Sequence, residues 1–161
     1  MTEFSTLYRK YAPDVFRFAL YLSGDRSDAE DITSETFVRA WTSPEPIRSA
    51  TVKAYLLTIA RNLFLRGLRA KRHRAALPEE AWGQISDPQP SPHMVAEGKA
   101  EFRAAVAGLQ RLPETDRAAL LMQAFEGMRY EEIAVALGIP LGTVKVKIHR
   151  ARLTLAKVRG S

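Results

Sequence analysis

The chain has 161 residues, 46% of them apolar, with a net charge of +6 and no cysteine. This excludes a wholly disordered chain, a disulfide framework and cysteine-ligated metal, and no apolar run reaches the ~18 residues of a membrane span. The basic excess suits a polyanionic partner. The N-terminal MTEFSTLYRK lacks the apolar core of a signal peptide, so a cytoplasmic protein without membrane insertion is expected.

In chain order, Phe4, Leu7, Tyr8, Tyr11, Val15, Phe18, Ala19 and Leu22 recur at spacings of three and four, which predicts an amphipathic helix ended by Gly24. Ser27 followed by Glu30 reads as a capping box, with Asp28 and Asp31 favourable at the positive helix start, and opens a second helix to about Trp41. The loop TSPEPIRSA follows, then a third helix from about Thr51 to Lys71. From Pro78 to Gly98 the chain reads PEEAWGQISDPQPSPHMVAEG, and prolines 88, 90 and 92 favour extended backbone there. Further helices are expected at about 95–110, 114–126, 130–137 and 141–158. No strand alternation or internal repeat is present, so the fold class is all-α: two small helical domains, 1–76 and 99–161, joined by a flexible linker, 77–98.

Charge divides along the same lines. Residues 1–75 carry 13 Lys/Arg against 8 Asp/Glu, residues 76–100 carry 1 against 4, and residues 101–161 carry 10 against 6. Two basic modules flank an acidic tether.

The C-terminal module holds the sharpest motif, GIPLGTVKVKIHRAR. A short helix from Tyr130 to Leu137 is stopped by Gly138, Ile139 points to the core, and Pro140 fits only at a helix start. The next helix sets Val144, Ile148, Ala151 and Leu155 on one face. That is a helix–tight turn–helix, whose second helix enters the major groove in DNA-binding proteins. Thr143, Lys145 and Val146 sit where base edges are met. Lys147, Arg150 and Arg152 are placed for phosphates, which position without reading sequence. A solvated basic helix would share the charge but not the glycine turn and apolar register.

The N-terminal module carries two opposed surfaces. DAEDITSETFVRAW sets Asp31, Ser34, Glu35 and Val38 along one stripe that repels DNA and suits a basic protein partner, although a capped helix with a solvated face reads the same way. The third helix places Arg61, Arg66, Arg69, Lys71, Arg72 and Arg74 within a run that has no acid, next to Tyr55 and Asn62. A basic track beside aromatics and amides suits single-stranded nucleic acid. Phe64 on the same helix reads as core.

DAEDITSETFVRAW, AYLLTIARNLFLRGLR and LPETDRAALLMQAFEGMRYEEIAVALGIPLGTVKVKIHRARLTL together resemble the extracytoplasmic-function (ECF) subfamily of bacterial sigma-70 RNA polymerase sigma factors, over nearly the whole chain except the linker. The resemblance implies a sigma region-2 domain at 1–76, a region-4 domain at 99–161, and a linker that threads near the polymerase active site. It implies docking of Asp31, Ser34, Glu35, Val38 and Trp41 on the beta-prime clamp helices of core polymerase, a further contact with the beta flap, and an anti-sigma factor as partner. Melting and single-strand capture at the −10 element would fall to Ser49, Lys53, Tyr55, Arg61, Asn62, Arg66 and Arg69. Double-stranded −35 DNA would fall to Thr143, Lys145, Val146, Lys147, Arg150 and Arg152. The chain departs from the family pattern at Ser34 (usually Gln), Tyr55 (usually Trp), Arg66 (often Asp) and Val146 (often Ser). A valine neither donates nor accepts a hydrogen bond but can touch a thymine methyl.

The alternative is a stand-alone helix-turn-helix regulator, although the N-terminal half has no βα alternation for a sensor domain. Catalysis is not expected. His73, His93 and His149 have no ligand spacing, and a helix start explains Asp28, Glu30 and Asp31, so no catalytic residue, metal or cofactor is assigned.

Overall fold

The computed structural model describes residues 3–43, 51–75 and 100–160. They form seven helices: α1 Glu3–Ser23, α2 Arg26–Thr42, α3 Val52–Ala75, α4 Ala100–Gln110, α5 Glu114–Ala124, α6 Tyr130–Leu137 and α7 Leu141–Gly160. Among the described residues there is no strand. Ser49 and the expected linker at 77–98 lie outside the described residues.

The N-terminal module is a three-helix unit. The apolar stripe of α1 buries Val15, Phe18, Ala19 and Leu22 against Ala29, Ile32 and Phe37 of α2 and Leu56, Leu57 and Ala60 of α3. Each fully buried large side chain contributes roughly 1.5–3 kcal/mol by leaving water. Gly24 ends α1 at φ +72°, as its place after the stripe requires. The start of α2 corrects the expected cap. Asp25, not Ser27, is the N-cap, and its carboxylate accepts the N–H of Asp28 at 2.8 Å. Glu30 is taken instead by Arg26 in an i,i+4 pair. Asp25 wins because the αL glycine before it already turns the chain, leaving Asp25 extended (φ −140°, ψ 125°) where a cap must be.

The C-terminal module packs α5 against α7 and seats α6 on both. Buried Leu121, Met122, Ile133, Val144, Ile148 and Ala151 form its core. Gly138 caps α6 at φ +67° and returns its N–H to Val135 at 3.2 Å. Nothing lies within 4 Å of a Cβ built there, so Gly138→Ala meets no clash, only the cost of a left-handed alanine, about 1–2 kcal/mol. Thermal unfolding of this variant should show a midpoint lowered by a few degrees.

The two modules are not separate bodies. α1 contacts α4 and α5, and α3 contacts α6. Tyr21 stacks on Phe125 with ring centroids 5.4 Å apart and 14° between planes. Gln110 donates its side-chain amide to the Tyr21 carbonyl at 2.8 Å. Sequence patterning shows two basic modules, and the structure closes one upon the other.

Candidate nucleic-acid and polymerase interfaces

The helix-turn-helix forms as its spacing requires, with Val144, Ile148 and Ala151 buried and the opposite face of α7 open. Thr143 is half-buried, Lys145 is exposed, and Val146 is 60% exposed. Their side chains make no hydrogen bond or ion pair with the described residues. The other three candidates on α7 are tethered to α5. The carboxylate of Asp116 accepts Nε and Nη2 of Arg150 at 2.7 and 2.8 Å, and Lys147 Nζ lies 3.4 Å from it. Arg152 Nη2 donates to Gln123 Oε1 at 2.6 Å. Asp116 is fully buried. The hydrogen bonds from Arg150 hold its carboxyl below the usual range against the opposing effect of burial, with Lys147 adding to the same side. Among the described residues, Thr143, Lys145 and Val146 make no side-chain hydrogen bond, while Lys147, Arg150 and Arg152 are tethered to α5.

On α3, Asn62, Arg66, Arg69, Arg72 and the half-exposed Lys71 lie on the outer face, and Lys71 pairs with Asp28 at 2.9 Å. Tyr55 is half-buried against the core and Phe64 is buried, as expected for a core ring. Arg61 differs from the expectation of an open basic track. It is 9% exposed and gives two hydrogen bonds to Glu114 of α5, at 3.0 and 2.7 Å. Lys53 is also engaged, 3.3 Å from Glu126 and 3.6 Å from Asp14. Glu126 is buried and also takes Nε and Nη2 of Arg17 at 3.0 and 2.8 Å. Thr51 donates to Glu132 of α6 at 3.3 Å. Three carboxylates of the C-terminal module therefore meet the start of α3 and its surroundings. Arg117 of α5 is buried with its guanidinium 5.8 Å from the Phe64 ring, and burial pushes its pKa down against the charge of Glu114.

On α2, Asp31, Ser34, Glu35, Val38 and Trp41 are all exposed. Glu35 pairs with Arg39 at 3.1 Å, while Trp41 packs edge-on against Phe4 at 5.2 Å. A groove of about 240 Å³ runs beside the stripe, with Asp31, Ile32 and Glu35 on one wall and Leu63 and Leu68 on the other. Among the described residues no three His, Asp or Glu side chains come together to hold a metal, and no described helix is long and apolar enough to cross a membrane.

Sequence reasoning missed Glu114, Asp116, Gln123, Glu126 and Glu132. Glu114 and Asp116 stand in the first turn of α5, where an acid also suits the helix start. No periodicity separates an acid that faces water from one that faces a distant arginine.

A helix-turn-helix beside a second basic helical module defines a DNA-binding protein of two linked helical domains. The Sigma-70 region 2 family model matches residues 7–74, and that of Sigma-70 region 4 matches residues 103–155. The chain is 37% identical over 157 residues to the ECF RNA polymerase sigma factor SigE of Mycolicibacterium smegmatis, an alignment covering 96% of this chain and 61% of that protein. It is 33% identical over 158 residues to SigL of Mycobacterium tuberculosis, covering 94% of this chain and 88% of SigL. The fold is similar to that of the sigma factor RpoE in its complex with the anti-sigma factor NepR from Bartonella quintana. The TM-score is 0.80 at 26% identity, covering 99% of this chain and 98% of that one. The chain belongs to the ECF RNA polymerase sigma factors, the family that directs RNA polymerase to initiate transcription at promoters. This sets aside the stand-alone regulator.

Proposed function

We infer that the three surfaces divide the work of promoter-specific initiation. In this reading 1–76 is a region-2 domain, 99–161 a region-4 domain, and 77–98 the tether between them. The stripe Asp31, Ser34, Glu35, Val38 and Trp41 docks on the clamp helices of the beta-prime subunit, and the C-terminal module meets the beta flap. Lys53, Tyr55, Arg61, Asn62, Arg66 and Arg69, with Ser49 of the preceding loop, act on the −10 element as it becomes single-stranded. Thr143, Lys145 and Val146 read the duplex −35 element while Lys147, Arg150 and Arg152 hold its phosphates. The observation that carries this reading is the state of the side chains on α7, with Lys145 and Val146 exposed near the helix start and Lys147, Arg150 and Arg152 held by Asp116 and Gln123 of α5 on the two flanks of the buried face. Such a face presents readers and positioners together.

Because Lys53 and Arg61 are occupied by Glu126 and Glu114, the −10 surface becomes available only when the C-terminal module moves off it. An anti-sigma partner that favours the closed arrangement would silence the protein in the cytoplasm, a reading supported by the fold shared with a sigma factor held by one. The direct test adds the protein to core polymerase with genomic DNA and maps transcript starts. Starts that share a −10 and a −35 sequence at fixed spacing are expected, and starts indistinguishable from core alone would defeat the reading. Asn62, exposed on the outer face of α3, gives a finer test. Asn62→Ala should leave core assembly intact and reduce permanganate reactivity of unpaired thymines by about tenfold, the scale of one lost bidentate base contact.

A further inference from the structure

The carboxylate that holds the cations of α7 lies on neither helix of the helix-turn-helix motif. Asp116 is buried in the first turn of α5, and everything polar within its reach comes from α7: Nε and Nη2 of Arg150 at 2.7 and 2.8 Å and Nζ of Lys147 at 3.4 Å. Arg150 offers one edge of its guanidinium to Asp116 yet keeps 54% of its side chain exposed. A guanidinium has five N–H donors in a rigid fork, so two bonds to Asp116 leave three donors aimed outward in a fixed plane. A free arginine must give up rotamer freedom to make a phosphate contact, and one already fastened loses far less. Lys147 stands nearly one turn before Arg150, so the single carboxylate engages both and, together with the buried Val144, Ile148 and Ala151, holds the rotation of α7 on α5. That rotation decides whether Thr143, Lys145 and Val146 face the groove.

We propose that Asp116 is a positioning residue for −35 recognition: it touches no DNA, but it sets the orientation of Arg150 and Lys147 towards one stretch of phosphates and thereby the register of the base-reading face. This rests on the reading of α7 as the recognition helix. The role predicts opposite effects on two kinds of DNA. A buried anion beside a DNA-binding face opposes phosphates, so its neutralisation should raise sequence-independent affinity. The loss of alignment should lower sequence-specific affinity.

The experiment uses the full chain assembled with core polymerase. The probes are a duplex carrying the −35 sequence that wild-type holoenzyme selects from a randomised pool, and a duplex of random sequence. Asp116→Asn should bind the random duplex as well as or better than wild type, while the ratio of selected to random affinity falls by roughly tenfold, the scale of one bidentate contact. Arg150→Gln, altered at an exposed position, should lower the same ratio, and adding Asp116→Asn to it should lower the ratio no further. A ratio unchanged in Asp116→Asn, or effects of the two substitutions that simply multiply, would overturn the proposal. A parallel fall of both affinities together with the thermal midpoint would make Asp116 structural only and overturn it equally. Lys145→Ala separates this from failure of the underlying reading. If Lys145→Ala leaves the selected sequence unchanged, α7 is not the reader. If Lys145→Ala changes the sequence and Asp116→Asn does not alter the ratio, only the role of Asp116 fails.

Discussion

Reversing Asp31 and Glu35 to lysine together is expected to reduce binding to core polymerase by at least a hundredfold while leaving the protein folded. The two acids lie one turn apart on the exposed stripe of α2, on a module whose other face is basic. Val38 and Trp41, each more than half exposed, continue the stripe and give it the apolar centre that a docking surface uses. Like charges brought together at an interface cost several kcal/mol, and each 1.4 kcal/mol is tenfold in affinity. Folding should hardly notice. Asp31 has no ion pair with the described residues, and the pair lost from Glu35 is an exposed i,i+4 contact with Arg39, a kind that contributes about 0.3–0.5 kcal/mol. Because Asp25 caps the helix and α2 begins at Arg26, Asp31 stands beyond the first turn, where the helix dipole acts weakly. Fluorescence anisotropy with labelled protein and core polymerase measures the effect, and circular dichroism checks the fold. A folded variant that binds core as tightly as wild type would remove α2 from the interface.

The second large effect is expected at the seam between the modules. Glu126 is 1% exposed at its side chain and serves Arg17 and Lys53, while Glu114 holds Arg61 with both partners mostly buried. Removing one partner of a buried pair can cost ~3–5 kcal/mol because the other charge stays behind without compensation. Arg17 is 41% exposed, so its share is the smaller one. Glu114→Gln with Glu126→Gln should therefore shift the molecule from closed towards open. Were the closed form about 99% of the population and the open form raised to about half, the apparent affinity of the α3 surface would rise about fiftyfold, since only the open fraction binds. The absence of native cysteine allows a clean distance measurement, with dyes on cysteines introduced at the exposed positions Ala70 and Ala107. Energy transfer should fall in the double variant, and binding of a single-stranded −10 oligonucleotide by the free protein should tighten. Unaltered transfer together with unaltered oligonucleotide binding would show that these carboxylates do not hold the seam.

The helices were legible because their signals are local and periodic. The stripe of α1, the stop at Gly24 and the turn at Gly138 follow from side-chain spacing and from backbone angles that only glycine adopts cheaply. The end of α4 at Gln110 and the bounds of α6 match the spacing, while α3 runs on to Ala75, past the expected Lys71, because nothing at 72–74 breaks a helix. The cap of α2 was misplaced by two residues, since Asp25 and Ser27 are both good caps and only the chain direction after Gly24 chooses between them.

By itself, then, the sequence determined the all-helical architecture, the two basic modules, the helix-turn-helix and the face of α7 turned outward, all of them consequences of periodicity within one element. Only the tertiary structure decided what the charges do. Glu126 meets Arg17 across 109 positions of sequence, Arg61 meets Glu114 across 53, and Arg150 meets Asp116 across 34. In the sequence Arg61 and Arg150 read as nucleic-acid contacts and their carboxylate partners pass unnoticed, because amphipathic patterning marks which side of a helix is apolar and carries no information about what will dock on its polar side. The docking of α4, α5 and α6 on α1 and α3 removes water from Arg61 and Glu126, and a charge without water must find a partner of opposite sign.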